Sequence, residues 1–276
     1  MNLVVQGAGL EKAGAGEIAR LAGGRHAEEV APHAYRVRNV GRTEALGPWC
    51  EERKLDHAWM PEGRRFADLK LLAMDMDSTL ITIECIDELG DLAGKKAEIA
   101  AITAQAMRGE IEYRESLRQR VRSLAGLPES SLNTIYEQRL KLTPGAEKLV
   151  DICRKNAVKL LLVSGGFTFF TDRLKARLGL DHTIANVLEI KSGKLTGALV
   201  GEIVDADAKA AGFRDVMRSL NATQDQGVAI GDGANDLKMM KEAGFSVAFR
   251  AKPVVQAQAG CALNWSGLDA VVNLFE

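Results

Sequence analysis

The chain has 276 residues, 46% hydrophobic and 26% charged, which suits a medium domain with an accessory piece and a substantial buried core. Its 36 basic and 37 acidic side chains leave a net charge of −1, so no sequence-wide basic field favours nucleic acid. The four scattered cysteines (Cys50, Cys85, Cys153, Cys261) contain no Cys-x-x-Cys pair and read as free buried thiols rather than a zinc site or disulfides. No segment reaches about 18 uninterrupted apolar residues, and Met1 to Gly7 lacks a charged stretch leading into an apolar core, so a cytoplasmic protein without membrane association is expected.

Residues 1–66 form a distinct first piece. Asn2 to Gln6 is strand-like, and Lys12 to Leu21 is an Ala-rich helix candidate. Tyr35 and Val37 alternate with Arg36 and Arg38, as in a half-buried strand. A second helix over Pro48 to Lys54 and a short strand from His57 to Met60 complete a β-α-β-α-β order. This predicts a small α+β module of the ferredoxin-like or regulatory type, whose sheet could pair with a second copy to give a homodimer. Pro61 to Arg65 reads as a linker.

From residue 67 to 276 the rhythm is α/β: strands alternating with helices, the pattern of a Rossmann-like parallel sheet covered on both faces. Leu69 to Met74 and Leu160 to Val163 are buried strands, and Phe169, Phe170, Leu174 and Leu178 follow at helical spacing up to a Gly179 stop. A helix through Phe213, Val216, Met217 and Leu220 precedes the strand Val228 to Ile230. A helix over Leu237 to Ala243 and a strand over Ser246 to Phe249 come next. Between about 82 and 142 only amphipathic helices are predicted, an insertion placed to hang over the strand ends as a cap. A smaller interruption, Val187 to Val204, carries the hairpin signal Ser192-Gly193.

Candidate chemistry gathers where predicted strands end. Asp75-Met76-Asp77-Ser78-Thr79 puts two acids just past a buried strand, where open α/β sheets bind ligands. A carboxylate there can attack phosphorus, and a second, angled differently, can protonate the leaving alkoxide: Asp75 and Asp77 suit these roles. A calcium loop would want Gly at 80 and Glu at 86, where the chain has Leu80 and Ile86. Ser164-Gly165-Gly166, between strand and helix, offers donors to an anion. Gly231-Asp232-Gly233-Ala234-Asn235-Asp236 lacks the third glycine of a dinucleotide loop, and its acids would attract a hard cation such as magnesium. Lys209, near a helix start, is the weakest single signal. Asp205 and Asp207 read as helix-start or surface acids.

Together with Val163 and Phe167 about the serine loop, these segments resemble the haloacid-dehalogenase-like phosphatases. Residues 69–276 are most similar to the phosphoserine-hydrolysing branch, through Asp-x-Asp-Ser-Thr with Glu84, the run Ser116-Leu117-Arg118-Gln119-Arg120-Val121, Val204 to Lys209, and Ala251-Lys252-Pro253. The resemblance implies Mg²⁺ as cofactor and hydrolysis of O-phosphoserine, the last step of serine biosynthesis, through an aspartyl-phosphate on Asp75. It implies Asp77 as acid/base that also lends its backbone carbonyl to the metal, with Asp75, Asp232 and the supporting Asp236 completing the metal site. Ser164, Gly165 and Lys209 would hold the phosphoryl oxygens and Asn235 would orient them. Glu84 would face the substrate ammonium and Arg120 its carboxylate, a pairing that also makes independent sense because Arg grips carboxylates through two parallel hydrogen bonds. Two other readings are a phosphotransferase passing the group to an alcohol such as homoserine, and a non-catalytic amino-acid sensor.

Overall fold

The computed structural model describes residues 1–276. Its first module runs β1 (Asn2–Gln6), α1 (Ala15–Leu21), β2 (Glu28–Ala31), β3 (Ala34–Val37), α2 (Leu46–Glu52) and β4 (Asp56–Met60). The strands make an antiparallel sheet in the order β2-β3-β1-β4, the ferredoxin-like arrangement. Ile18 and Ala19 of α1 and Leu46 and Cys50 of α2 pack on one face, against Leu3, Val5, Tyr35 and Val37.

Two features correct the sequence reading. Within this module one strand, β2, was not predicted: it is four residues long, and its two glutamates are exposed at the sheet edge, so it shows no apolar alternation. The second concerns Arg36. The alternation placed it in water, yet it is only 3% exposed and donates to the carbonyls of Asn273 (3.0 Å) and Phe275 (2.6 Å). The face of the small sheet expected to lie open is covered by the chain's own carboxyl-terminal segment. Val4, Ala58 and Met60 share one apolar cluster with Phe66, Leu274 and Phe275.

The larger unit continues with β5 (Leu71–Met74), α3 (Cys85–Leu92), α4 (Lys96–Met107), α5 (Tyr113–Arg122), α6 (Ser130–Thr134) and α7 (Ala146–Lys155). Then come β6 (Lys159–Phe167), α8 (Thr168–Leu178), β7 (His182–Lys191), β8 (Lys194–Val200) and α9 (Ala206–Ser219). β9 (Gly227–Gly231), α10 (Leu237–Glu242), β10 (Phe245–Phe249), α11 (Pro253–Gln256) and β11 (Cys261–Leu263) complete it. The seven-stranded sheet has the order β11-β10-β9-β5-β6-β7-β8, parallel except for β8. Successive β5 side chains point to opposite layers. Leu72 and Met74 join one core cluster and Leu71 and Ala73 the other, as a strand buried on both sides requires. The four cysteines are free and buried, and no helix is long and apolar enough to cross a membrane.

The insertion after β5 is helical, as predicted, and its two ends are tied together. Ile81 and Leu142 form an antiparallel bridge. Thr82 N–H donates to Lys141 O (3.0 Å) and Thr143 N–H to Leu80 O (2.9 Å). The far side of the cap rests on the β7–β8 hairpin, where Gly126 N–H donates to Leu195 O (2.8 Å) and Leu195 N–H to Leu127 O (2.9 Å). That hairpin turns at Ser192 and Gly193, whose φ values of +50° and +72° give the mirror-image turn that suits the strand twist.

Candidate active site

Strand order decides where the site lies. From β5 the chain builds outward through β6 to β8, then returns to β9 on the other side of β5, so the connections diverge at that strand. The register aligns the exits: Met74 stands beside Leu162 of β6 and Ile230 of β9. Asp75, Ser164 and Asp232, each one or two residues further on, are therefore delivered to one rim of the sheet.

Lys209 is the hub. Its side chain has no exposure, and Nζ lies 2.7 Å from Asp75 Oδ2 and 2.8 Å from Asp236 Oδ1. Asp205 places it, capping α9 by accepting from Ala208 N–H (3.0 Å) one turn before the lysine. Burial alone would lower the Lys209 pKa, but Asp236 and Asp75 outweigh it and the net shift is upward. One carboxylate oxygen each from Asp75, Asp232 and Asp236 lie within 4.8 Å of one another. Three acids against one ammonium leave an excess of negative charge. Burial and Asp236 hold Asp75 well above the usual carboxylate range despite Lys209, and burial, Asp236 and Glu84 push Asp232 up to about 6. Three hard oxygen donors converging, with Asp75 and Asp232 raised, suit a divalent cation such as Mg²⁺, whose charge would reverse those two shifts.

The turn after Asp75 separates the two acids. Asp75 accepts from Met76 N–H (2.6 Å), while Ser78 takes a left-handed φ of +54° and swings the chain away. Asp77 consequently leaves the three-carboxylate cluster and accepts from Cys85 N–H (3.1 Å) at the start of α3. Its carboxylate lies against Gly166, where a Cβ would come within 2.8 Å of Oδ2 and 3.0 Å of Ser164 Oγ. Burial, then Glu84, push Asp77 up to about 7, which suits a group that gives and takes a proton near neutrality.

Ser164 is buried, and its Oγ accepts from Gly166 N–H (2.8 Å), so the hydroxyl proton stays free for an anion. Glu84 sits at the rim and accepts from Ser78 Oγ (2.6 Å). Arg120, half-buried on cap helix α5, has a buried Nε with no partner within the protein. Asn235 stands half-buried on the turn between β9 and α10, two residues from the Gly233 N–H that donates to Asp236 (3.0 Å). Of the two acids set aside, Asp205 caps α9 and Asp207 is exposed and pairs with Lys238 (2.7 Å).

Two supporting residues escaped the sequence reading. Asn186, buried on β7, donates from Nδ2 to Gly165 O (2.8 Å) and accepts from Val204 N–H (2.8 Å), fixing the serine loop to the segment leading into α9. Thr79 donates from Oγ1 to Asp232 (3.3 Å). Only the second had a signal, its place in the Asp-x-Asp-Ser-Thr run.

A family model described as haloacid dehalogenase-like hydrolase matches residues 72–241. The chain is 53% identical over 215 residues to the phosphoserine phosphatase of Polaromonas sp. (strain JS666), covering 76% of this chain and 91% of that one. It is 43% identical over 244 residues to the phosphoserine phosphatase of Archaeoglobus fulgidus, covering 87% and 69%. Among solved structures, the unliganded probable phosphoserine phosphatase of Vibrio cholerae matches at a TM-score of 0.85 and 36% identity, over 99% of this chain and 86% of that chain. A substrate-bound phosphoserine phosphatase matches at 0.71 and 35%, over 75% and 99%.

Proposed function

Because the chain belongs to the haloacid dehalogenase-like hydrolases, we propose that it is a Mg²⁺-dependent phosphatase converting O-phospho-L-serine to L-serine and inorganic phosphate. The observation that carries this reading is Lys209, buried between Asp75 and Asp236 with Asp232 alongside. Relatives named phosphoserine phosphatase support the substrate.

In this reading an Asp75 oxygen attacks phosphorus as the serine C–O–P oxygen departs, forming an aspartyl-phosphate. Asp77 in its protonated form gives its proton to that oxygen and then takes one from the water that hydrolyses the intermediate. Lys209, the Ser164 hydroxyl and the Gly165 amide hold the phosphoryl oxygens, with Asn235 fixing their orientation. Mg²⁺, held by Asp75, Asp232 and the Asp77 carbonyl with Asp236 in support, would supply positive charge to the phosphoryl oxygens. Glu84 and Arg120 pair with the ammonium and carboxylate of the amino acid, and the cap excludes bulk water. Residues 1–66 serve as an accessory module to a phosphatase unit of residues 67–276 with its cap at about 82–142, working in the cytoplasm at the close of serine biosynthesis.

The test is phosphate release from a panel of phospho-amino acids and sugar phosphates, with Mg²⁺ and with chelator, in the native protein and Asp75→Asn. O-Phosphoserine should be preferred, and both chelation and Asp75→Asn should abolish turnover without unfolding the chain. Normal release by a folded Asp75→Asn protein overturns the nucleophile assignment. A phosphorylated product on adding homoserine, with phosphate release falling in step, would make it a phosphotransferase.

A further inference from the structure

Tyr113 opens α5, three and seven residues before Ser116 and Arg120 on the same helical face. Its ring packs against the main core cluster. Its hydroxyl stands directly over Gly165: a Cβ on that glycine would overlap the phenol oxygen, while Tyr113 Cζ at 3.4 Å and Val204 O at 3.8 Å leave ordinary room. The hydroxyl is thus the group that demands glycine here.

The phenol is within electrostatic reach of Lys209, Arg120, Asp75 and Asp236, and burial, the largest influence, raises its pKa so that it keeps its proton at neutral pH. It forms no hydrogen bond within the protein, and the adjacent Gly165 carbonyl is already bonded by Asn186 (2.8 Å). Packing alone would be served by phenylalanine, because the ring makes the contacts with the core cluster and the hydroxyl of this half-buried side chain adds none within the protein. The start of the helix that carries it is tied to the start of α9: Arg114 Nε donates to Asp205 (2.6 Å), the acid that caps the Lys209 helix.

The geometry points to Tyr113 as a donor carried by the cap, hydrogen-bonding a phosphoryl oxygen seated at Ser164-Gly165. The cap then senses the phosphate end of the ligand as well as its amino-acid end, and its closure and phosphate capture become one event. This rests on the phosphatase reading above.

The test uses orthophosphate as the probe, titrated calorimetrically into the Mg²⁺-loaded full chain, wild type against Tyr113→Phe. KM for O-phosphoserine and for p-nitrophenyl phosphate is measured alongside. Loss of a donor to a charged oxygen should weaken phosphate binding roughly tenfold or more and raise both KM values together. The thermal midpoint should not move, because no bond within the protein is lost. Gly165→Ala should impair phosphate binding, and adding Tyr113→Phe to it should restore part of the loss, because the overlap is with the hydroxyl. Tyr113→Phe binding phosphate as the wild type does overturns the inference and leaves the phosphatase reading standing. A wild type that neither binds phosphate nor cleaves either ester overturns both.

Discussion

Exchanging Lys209 for methionine keeps most of the aliphatic stem and deletes the ammonium. In the native protein that ammonium has no exposure and touches Asp75 at 2.7 Å and Asp236 at 2.8 Å. The variant strands these two acids beside Asp232 in a buried cluster. Removing one partner of a buried ion pair costs about 3–5 kcal/mol, on the order of 10 °C in Tm for a chain of this size. The penalty has a sign in pH. Without the lysine Asp75 and Asp232 bind protons more readily still, so acid relieves the repulsion and alkali deepens it. Denaturant unfolding in chelator should show a larger loss at pH 8 than at pH 5. Lys209→Met combined with Asp236→Asn, which removes one stranded charge, should recover part of it. A loss under about 1 kcal/mol at pH 8, the scale of an exposed ion pair, or equal losses at both pH values, would refute the reasoning.

The acids should also shape the stability of the metal-free native protein. Asp77 and Asp232 are raised to about 7 and about 6 from an ordinary 3.8, so between these values the folded state binds more protons than the unfolded one. Their contribution is whole below the ordinary value and is lost as pH rises through 6 and 7. Melting in chelator should show Tm falling over that window, with Asp232→Asn flattening the slope; an unchanged slope in the variant contradicts the assignment. Mg²⁺ should restore more stability at pH 8 than at pH 5, and equal gains would count against these carboxylates as its ligands. Arg120→Ala should lower kcat/KM on O-phosphoserine about a hundredfold, the scale of a charge-assisted pair, yet change p-nitrophenyl phosphate turnover little. Equal losses on both would show that Arg120 does not meet the substrate carboxylate.

What could be read in advance depended on how locally each feature is encoded. The strand before Asp75 and the turns at Ser164 and Asp232 announce themselves within a few residues, because a buried parallel strand is an apolar run and its exit is polar. The cap and the Ser192-Gly193 hairpin are legible for the same reason. Arg36 was misread because its partners, the carbonyls of Asn273 and Phe275, come from the opposite end of the chain. β2 is short and charged at a sheet edge, so alternation had nothing to report. Asn186 looks like any polar strand residue until the loops at Gly165 and Val204 are brought to it. Lys209 was placed near a helix start, but its complete burial between two acids is a property of packing alone.

The bridge between Ile81 and Leu142 makes the segment it encloses a detachable cassette. Entry and exit stand side by side, and Thr143 Oγ1 bonds Thr79 O (2.7 Å) just inside the junction. A lineage could therefore exchange everything beyond that gate as one block, while the strand register behind Asp75 stays undisturbed. The cassette joins the sheet covalently at this one two-stranded doorway and leans at its far side on the hairpin through Gly126, Leu127 and Leu195.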